Sequence, residues 1–215
     1  METLHYFIHF ILHLDLQLLT LVSACGAWVY AILFIIIFCE TGLVITPILP
    51  GDSLLFAAGT LAAGAAQSLN IHLLFLLLTC ASILGNAANY SIGRFVGPRV
   101  FHFSRSRLFN PQYLQKAHTF YESHGGKAII IARFLPILRT FAPFVAGIGS
   151  MHFQRFIFYN ILGAVLWVGG LLYTSYLFGN LPLVKEHFST VILAIIVLSL
   201  LPPLVAYFRQ KPQPS

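Results

Sequence analysis

Long apolar runs, cut by clusters of proline and glycine and only rarely by a charge, set the layout of this chain. From Ala27 to Thr46 an apolar segment long enough to span a bilayer contains Glu40 and Gly42 and stops at Pro47, with Pro50-Gly51 close behind. The next helical stretch, Asp52 to Ala66, has about 15 residues where ~20 are needed to cross. Two helical pieces meeting at such a break predict a re-entrant hairpin, which is tolerated at membrane depth only where protein or a water-filled cavity satisfies the freed backbone groups. An ordinary pair of kinked helices is the alternative.

Residues 71 to 97 predict a full span whose small residues, Gly85, Ala87, Ala88, Gly93 and Gly97, suit close helix packing. Arg94 and Arg99 mark its cytoplasmic end. Phe101 to His124 interleaves Arg105, Arg107, Lys116 and Glu122 with aromatic residues and reads as a basic amphipathic helix at the inner surface, with a solvated loop as the bland alternative. A second broken segment, Lys127 to Gly149, packs Arg133, Pro136, Arg139 and Pro143 into about 20 residues and is expected to enter and leave the same side. Residues 153 to 178 and 188 to 208 predict the last spans, Trp167 being ambiguous between core and interfacial belt. At the start, residues 3 to 24 carry His5, His9, His13, Asp15 and Gln17, too polar for a comfortable span and better suited to the interface.

Composition sharpens this into a class. With 58% hydrophobic and 8% charged residues and a mean hydropathy of +0.85, the chain departs from the roughly 25% charged content of soluble domains. It reads as one membrane domain, residues 1 to 208, with a short basic cytoplasmic tail from 209 to 215. The formal net charge of +6 is dispersed and accompanies no nucleic-acid-binding module, so loop charge bias explains it better than a nucleic-acid partner. Cys25, Cys39 and Cys80 lack metal or redox spacing. The His5/His9/His13 stripe has i, i+4 spacing but no carboxylate or cysteine to complete a metal site, so neither metal nor cofactor is expected. Glu2 and Asp15 argue against a cleaved signal peptide.

The two broken segments resemble each other. Pro47-Ile-Leu-Pro-Gly-Asp-Ser-Leu-Leu-Phe-Ala-Ala-Gly59 aligns with Pro136-Ile-Leu-Arg-Thr-Phe-Ala-Pro-Phe-Val-Ala-Gly147, and Ile83-Leu84-Gly85 follows the first as Ile161-Leu162-Gly163 follows the second. One hairpin plus one span per unit moves the chain across the membrane once, so the repeats (about 27–97 and about 127–180) must face opposite ways, as in inverted-repeat transporters. The predicted fold is therefore all-α: a polytopic membrane protein of two inverted repeats, each a re-entrant helical hairpin plus a transmembrane helix, with interfacial amphipathic helices and a final transmembrane helix near 188–208. The hairpin breaks are assigned to Pro47, Pro50, Gly51, Pro136 and Pro143.

Candidate chemistry follows from the intramembrane charges, each of which costs about 2.5–3.5 kcal/mol at a helix centre unless it pairs, meets water or performs a function. Glu40 and Asp52 can bind and release a proton if burial favours their neutral forms, which makes them the candidate proton-coupling residues. Arg133 and Arg139 keep their charge and suit either an ion pair with those acids or a bidentate grip on phosphate. Salt bridges that merely hold the hairpins together are the competing structural explanation.

Phe38-Cys-Glu-Thr-Gly-Leu, Pro50-Gly-Asp-Ser-Leu-Leu-Phe, Gly85-Asn-Ala-Ala-Asn-Tyr-Ser-Ile-Gly-Arg94, Phe120-Tyr-Glu-Ser-His-Gly-Gly-Lys127, the whole of Ala132 to Gly147, and Tyr159-Asn160 together resemble the DedA family of bacterial inner-membrane proteins, within the SNARE-associated, VTT-domain superfamily. The likeness covers nearly the whole chain and implies a proton-motive-force-dependent transporter or flippase of a phosphate-bearing lipid, undecaprenyl phosphate or a phospholipid, in the bacterial inner membrane. It implies that Glu40, Asp52, Arg133 and Arg139 are essential. Asn86 departs from the family pattern, in which Asp is frequent, and an amide there cannot relay protons.

A lipid-phosphate enzyme is disfavoured because His102, His118, His124 and His152 all lie outside the arginine segment, leaving no base beside it. Passive scrambling, small-ion or proton antiport, and a non-transporting membrane-organising role remain alternatives. The expected partners are a lipid-phosphate substrate, protons and membrane lipids, with a homo-oligomer open and nucleic acid excluded.

Overall fold

A computed structural model describes residues 26–43, 51–64, 69–100, 125–179, 181–182 and 190, with the side chains of 97–100 and 136–137 left aside. Those residues form six helices: α1 (Trp28–Gly42), α2 (Gly51–Ala63), α3 (Ile71–Val100), α4 (Lys127–Arg133), α5 (Pro136–Ile148) and α6 (Phe153–Phe178). Among the described residues all regular structure is helical. The expected interfacial helix at 3–24, the amphipathic segment 101–124, Pro47, Pro50 and the tail 209–215 lie outside them, as does the expected final span at 188–208 apart from Thr190.

Helix lengths follow the expected alternation. At ~1.5 Å per residue, α3 (30 residues) and α6 (26 residues) reach ~45 and ~39 Å, beyond the ~30 Å of bilayer hydrocarbon. Both are apolar enough to cross a membrane. By the same rise α1, α2 and α5, of 15, 13 and 13 residues, reach only ~20 Å each, and α4, of 7 residues, half that. Large apolar side chains face outward on the long helices, among them Leu76 (60% exposed), Phe95 (62%) and Leu177 (69%), while Glu40, Arg133 and Arg139 are buried. Apolar side chains on the outside with the charges held inside suit a lipid solvent.

Local sequence explains the helix ends. Asn70 caps α3, its Oδ1 accepting from the backbone N–H groups of His72 (3.0 Å) and Leu73 (3.2 Å). The break between α4 and α5 falls at Phe134-Leu135: Leu135 is extended (φ −115°, ψ 109°), as a residue before proline should be, and Pro136 opens α5 where its missing N–H is harmless. Gly51 likewise begins α2. Pro143 does not break the chain, contrary to the sequence expectation, but lies inside α5. Pro143 removes the N–H that would bond the Arg139 carbonyl, and at the next carbonyl along, Asn89 Nδ2 of α3 donates to Thr140 O at 2.8 Å. α5 ends in a Schellman motif with the Ser150 N–H bonded to Gly147 O (3.1 Å) and the Met151 N–H to Ala146 O (3.1 Å), Ser150 taking the left-handed conformation (φ 55°) usually left to glycine.

The described residues divide into two compact units. The first comprises 26–31, 51–64, 69–75 and the chain from 170 onward. There Gly59 of α2 lies so close to α6 that an added Cβ would fall 2.5 Å from Leu172 O, and Tyr173 Oη meets His72 Nδ1 at 2.9 Å. The second comprises 32–43, 76–100 and 125–169, and its core gathers Tyr90, Ala128, Ile129, Ala146 and Phe156, with the Tyr90 and Phe156 rings stacked 4.4 Å apart. Within this unit glycines bring backbones into contact. A Cβ on Gly93 would sit 2.1 Å from Phe144 O and one on Gly147 2.1 Å from Tyr90 O, so α3 and α5 meet backbone to backbone, while Gly85 lets α3 approach Phe38 O and the Thr41 side chain of α1.

Candidate functional site: a buried charged layer

Every helix of the second unit places polar side chains in one layer near the middle of the long helices. α1 contributes Glu40 and Thr41, α3 Ser82, Asn86 and Asn89, α4 Arg133, α5 Arg139 and Thr140, and α6 Asn160, all buried. On α3 the spacing 82, 86, 89 puts the three polar residues on a single face of an otherwise apolar helix. The glycines after Ser82 and Asn160 set the close approach. Gly85 abuts Thr41 and Phe38 of α1, and Gly163 abuts Arg133 and Ile130 of α4, so each Ile-Leu-Gly sequence receives a short helix.

Arg139 Nη2 donates to Glu40 Oε1 at 2.5 Å, an ion pair whose partners are 5% and 1% exposed. The sequence reading left this pairing open, and the structure makes it. Arg133, 1% exposed, is held differently. Its Nη1 donates to Ser82 Oγ and its Nη2 to Asn160 Oδ1 at 2.5 Å, while Asn160 Nδ2 donates in turn to Ile83 O at 3.1 Å. The Asn86 amide has one orientation that satisfies both its ends, with its nitrogen donating to Thr41 O (3.2 Å) and its oxygen accepting from Arg133 Nη2 (2.6 Å). All of these acceptors are neutral. Asn89 Nδ2 joins Thr41 O (3.2 Å) to Thr140 O (2.8 Å), tying α1, α3 and α5 together.

Both guanidinium groups lie over the indole of Trp167, which is 2% exposed: Arg139 Cζ at 4.5 Å and Arg133 Cζ at 6.0 Å from the ring centroid. Distances under about 6 Å allow an attractive cation–π contact, strongest away from water. Among the described residues, this layer brings the Arg133 and Arg139 guanidinium groups and the Glu40 carboxylate together.

Of the residues singled out in the sequence, Glu40, Arg133 and Arg139 converge. Asp52 does not belong to this unit: it sits in the first turn of α2, half-buried, where the amide ends of the helix favour a carboxylate. Among the described residues no three His, Cys, Asp or Glu side chains gather in a way that would hold a metal ion. Ser82, Asn89 and Trp167 were not foreseen as site residues, although three polar residues on one face of a lipid-soluble helix are a readable signal for the first two. Nothing local marks Trp167, because its partners are 28 and 34 residues away in sequence.

The VTT domain model matches residues 49–177. Protein DedA of Escherichia coli K12 is 52% identical over 211 residues, covering 98% of this chain and 96% of that protein. An uncharacterized membrane protein of Mycobacterium leprae is 42% identical over 172 residues (80% and 76%), and the inner membrane protein YqjA of E. coli K12 is 37% identical over 159 residues (74% and 71%). No solved structure matches. Broken apolar helices, a buried arginine pair and near full-length identity lead to one conclusion: the chain belongs to the DedA family of VTT-domain proteins, multi-pass proteins of the bacterial inner membrane.

Proposed function

We propose that this protein moves a phosphate-bearing lipid across the membrane, binding its anionic headgroup at the Arg133–Arg139 layer and drawing on the proton motive force. One observation carries the reading. Arg133 is buried and its donors meet the neutral acceptors Ser82 and Asn160, with Arg139 beside it over the same indole. A buried guanidinium held by neutral acceptors is expensive to keep, and a site that keeps one is suited to an anion that arrives from outside. Planar guanidinium groups match phosphate oxygens in pairs.

Short helices suit the role, since paired half-length elements with a polar layer at their meeting place are how secondary transporters form midplane sites. In this reading α1–α2 and α4–α5 are the re-entrant hairpins of two inverted repeats, and Asp52 and Glu40 are the groups that take up protons. Undecaprenyl phosphate and phospholipids are the substrates suggested by the family resemblance, and lipid transfer without chemical change makes the protein a transporter rather than an enzyme.

The Glu40–Arg139 pair favours a second reading, in which the same layer passes lipid passively. A carboxylate committed to a guanidinium at 2.5 Å suits a structural strut better than a mobile proton carrier. Reconstitution separates the two. Purified protein in liposomes is expected to translocate a phosphate-bearing reporter lipid, scored by headgroup accessibility, faster with an imposed pH gradient and slowly after a protonophore. Equal rates with and without the gradient establish the passive reading, and no translocation beyond empty liposomes removes both.

A further inference from the structure

Trp167 shares a wall with two cations, and that arrangement has a chemical consequence for ligand binding. Arg139 and Arg133 come from different helices and repel each other, yet their Cζ atoms stand 4.5 and 6.0 Å from the same ring centroid, 2% exposed. Glu40 bonds Arg139 on one side, and Ser82, Asn86 and Asn160 bond Arg133 on others. Both arginines also face one indole. Its negative face offsets part of the repulsion between the guanidinium groups without consuming their hydrogen-bond donors, which a carboxylate in that place would occupy.

We infer that Trp167 is a positioning residue of the anion site: its π face holds the Arg139 and Arg133 guanidinium groups in register, so that one phosphate-type headgroup meets both. The inference rests on the proposed function above and specifies how the site keeps its donors available. Leucine in this place would fill space and leave the cations unscreened. Phenylalanine would keep a smaller π face. The role is therefore electronic, and a change in the ring's electron density should register in ligand affinity even when shape is kept.

The second tryptophan makes the test clean. The chain has two, and Trp28 is 75% exposed at the start of α1, outside the unit that holds the site. Full-length Trp28→Phe protein in nanodiscs is to be produced with tryptophan, 5-fluorotryptophan, difluorotryptophan and trifluorotryptophan at position 167, and titrated with dihexanoyl phosphatidate, using dihexanoylglycerol as the phosphate-free control. Fluorine withdraws charge from the ring face with little change of volume, so the expected result is a stepwise rise in Kd with each fluorine, about tenfold for the trifluoro protein, together with phosphatidate-dependent quenching of Trp167 fluorescence in the unfluorinated one. Melting temperatures should stay level across the series, which a packing role alone would share. A Kd independent of fluorination, with binding intact, overturns the positioning role and leaves the anion site standing. If the unfluorinated protein binds phosphatidate no better than the control, the anion site itself is wrong and the inference falls with it.

Discussion

Replacing Glu40 by Gln tests the electrostatics of the layer most directly, because the side chain keeps its shape and loses only its charge. Glu40 is 1% exposed and bonded at 2.5 Å to Arg139, itself 5% exposed, so neutralising it removes the carboxylate from a buried ion pair. Breaking a buried pair from one side costs about 3–5 kcal/mol, and the lower figure is expected because the amide oxygen still accepts from Arg139. For a chain of this size a loss of about 3 kcal/mol lowers Tm by about 6–12 °C. Reversible SDS unfolding in mixed micelles, followed by circular dichroism, gives the free energy independently. The cycle Glu40→Gln, Arg139→Met and the double variant should show coupling of at least about 2 kcal/mol, since the double variant removes both charges and leaves no orphan. Transposing the pair, Glu40→Arg with Arg139→Glu, restores the charge balance but sets a carboxylate over the Trp167 ring, where the π face repels it, so rescue should be partial. Glu40→Gln protein as stable as wild type, or a coupling near zero, would refute the electrostatic account.

Arg133→Lys should lose most translocation although it keeps the charge, because Arg133 divides its donors among Ser82, Asn86 and Asn160 and an ammonium cannot span them; near wild-type transport by Arg133→Lys would reduce the site to simple charge. Gly93→Ala and Gly147→Ala place a methyl 2.1 Å from a neighbouring carbonyl and should destabilise by about 1–3 kcal/mol, whereas Gly170→Ala, with nothing within 4 Å of its Cβ, should stabilise by up to about 1 kcal/mol through helix propensity alone. Thermal melts of the three variants rank them, and a destabilised Gly170→Ala would contradict the packing described. For the re-entrant hairpin, cysteines at Lys127 and Ser150, both exposed and flanking α4–α5, should react with a membrane-impermeant reagent from the same face, while cysteines at Asn70 and Arg94 on α3 react from opposite faces. Labelling of 127 and 150 from opposite faces would make α4–α5 an ordinary crossing.

How much of this was legible in the sequence depends on whether the information was local. The span at 153–178 coincides with α6, and the span at 71–97 differs from α3 only at its end, because sustained hydropathy and an asparagine cap are read from neighbouring residues. Pro136 was legible as a break for the same reason. Pro143 was misread because proline is also tolerated inside a helix that packs on its neighbours, as α5 packs on α3, and those contacts come from distant sequence. In the site, rarity of charge at membrane depth exposed Glu40, Arg133 and Arg139, but which acid would meet which arginine was not encoded in spacing. Only the packing selects Glu40 for Arg139 and gives Arg133 neutral partners. Trp167 in an apolar helix has the same sequence appearance whether it faces lipid, core or two cations.

The glycine contacts along α3 also bear on how such a protein moves. Helices that meet through side chains can slip past one another by exchanging one set of rotamers for another. Where Gly93 and Gly147 let α3 and α5 touch backbone to backbone, there is no layer of side chains to rearrange, and Asn89 pins α1 and α5 to α3 through their carbonyls. α1, α3 and α5 therefore travel as a single plate. In the proposed transport cycle that plate stays undeformed and the displacement falls elsewhere, so a covalent staple between α3 and α5 is expected to be silent in a translocation assay.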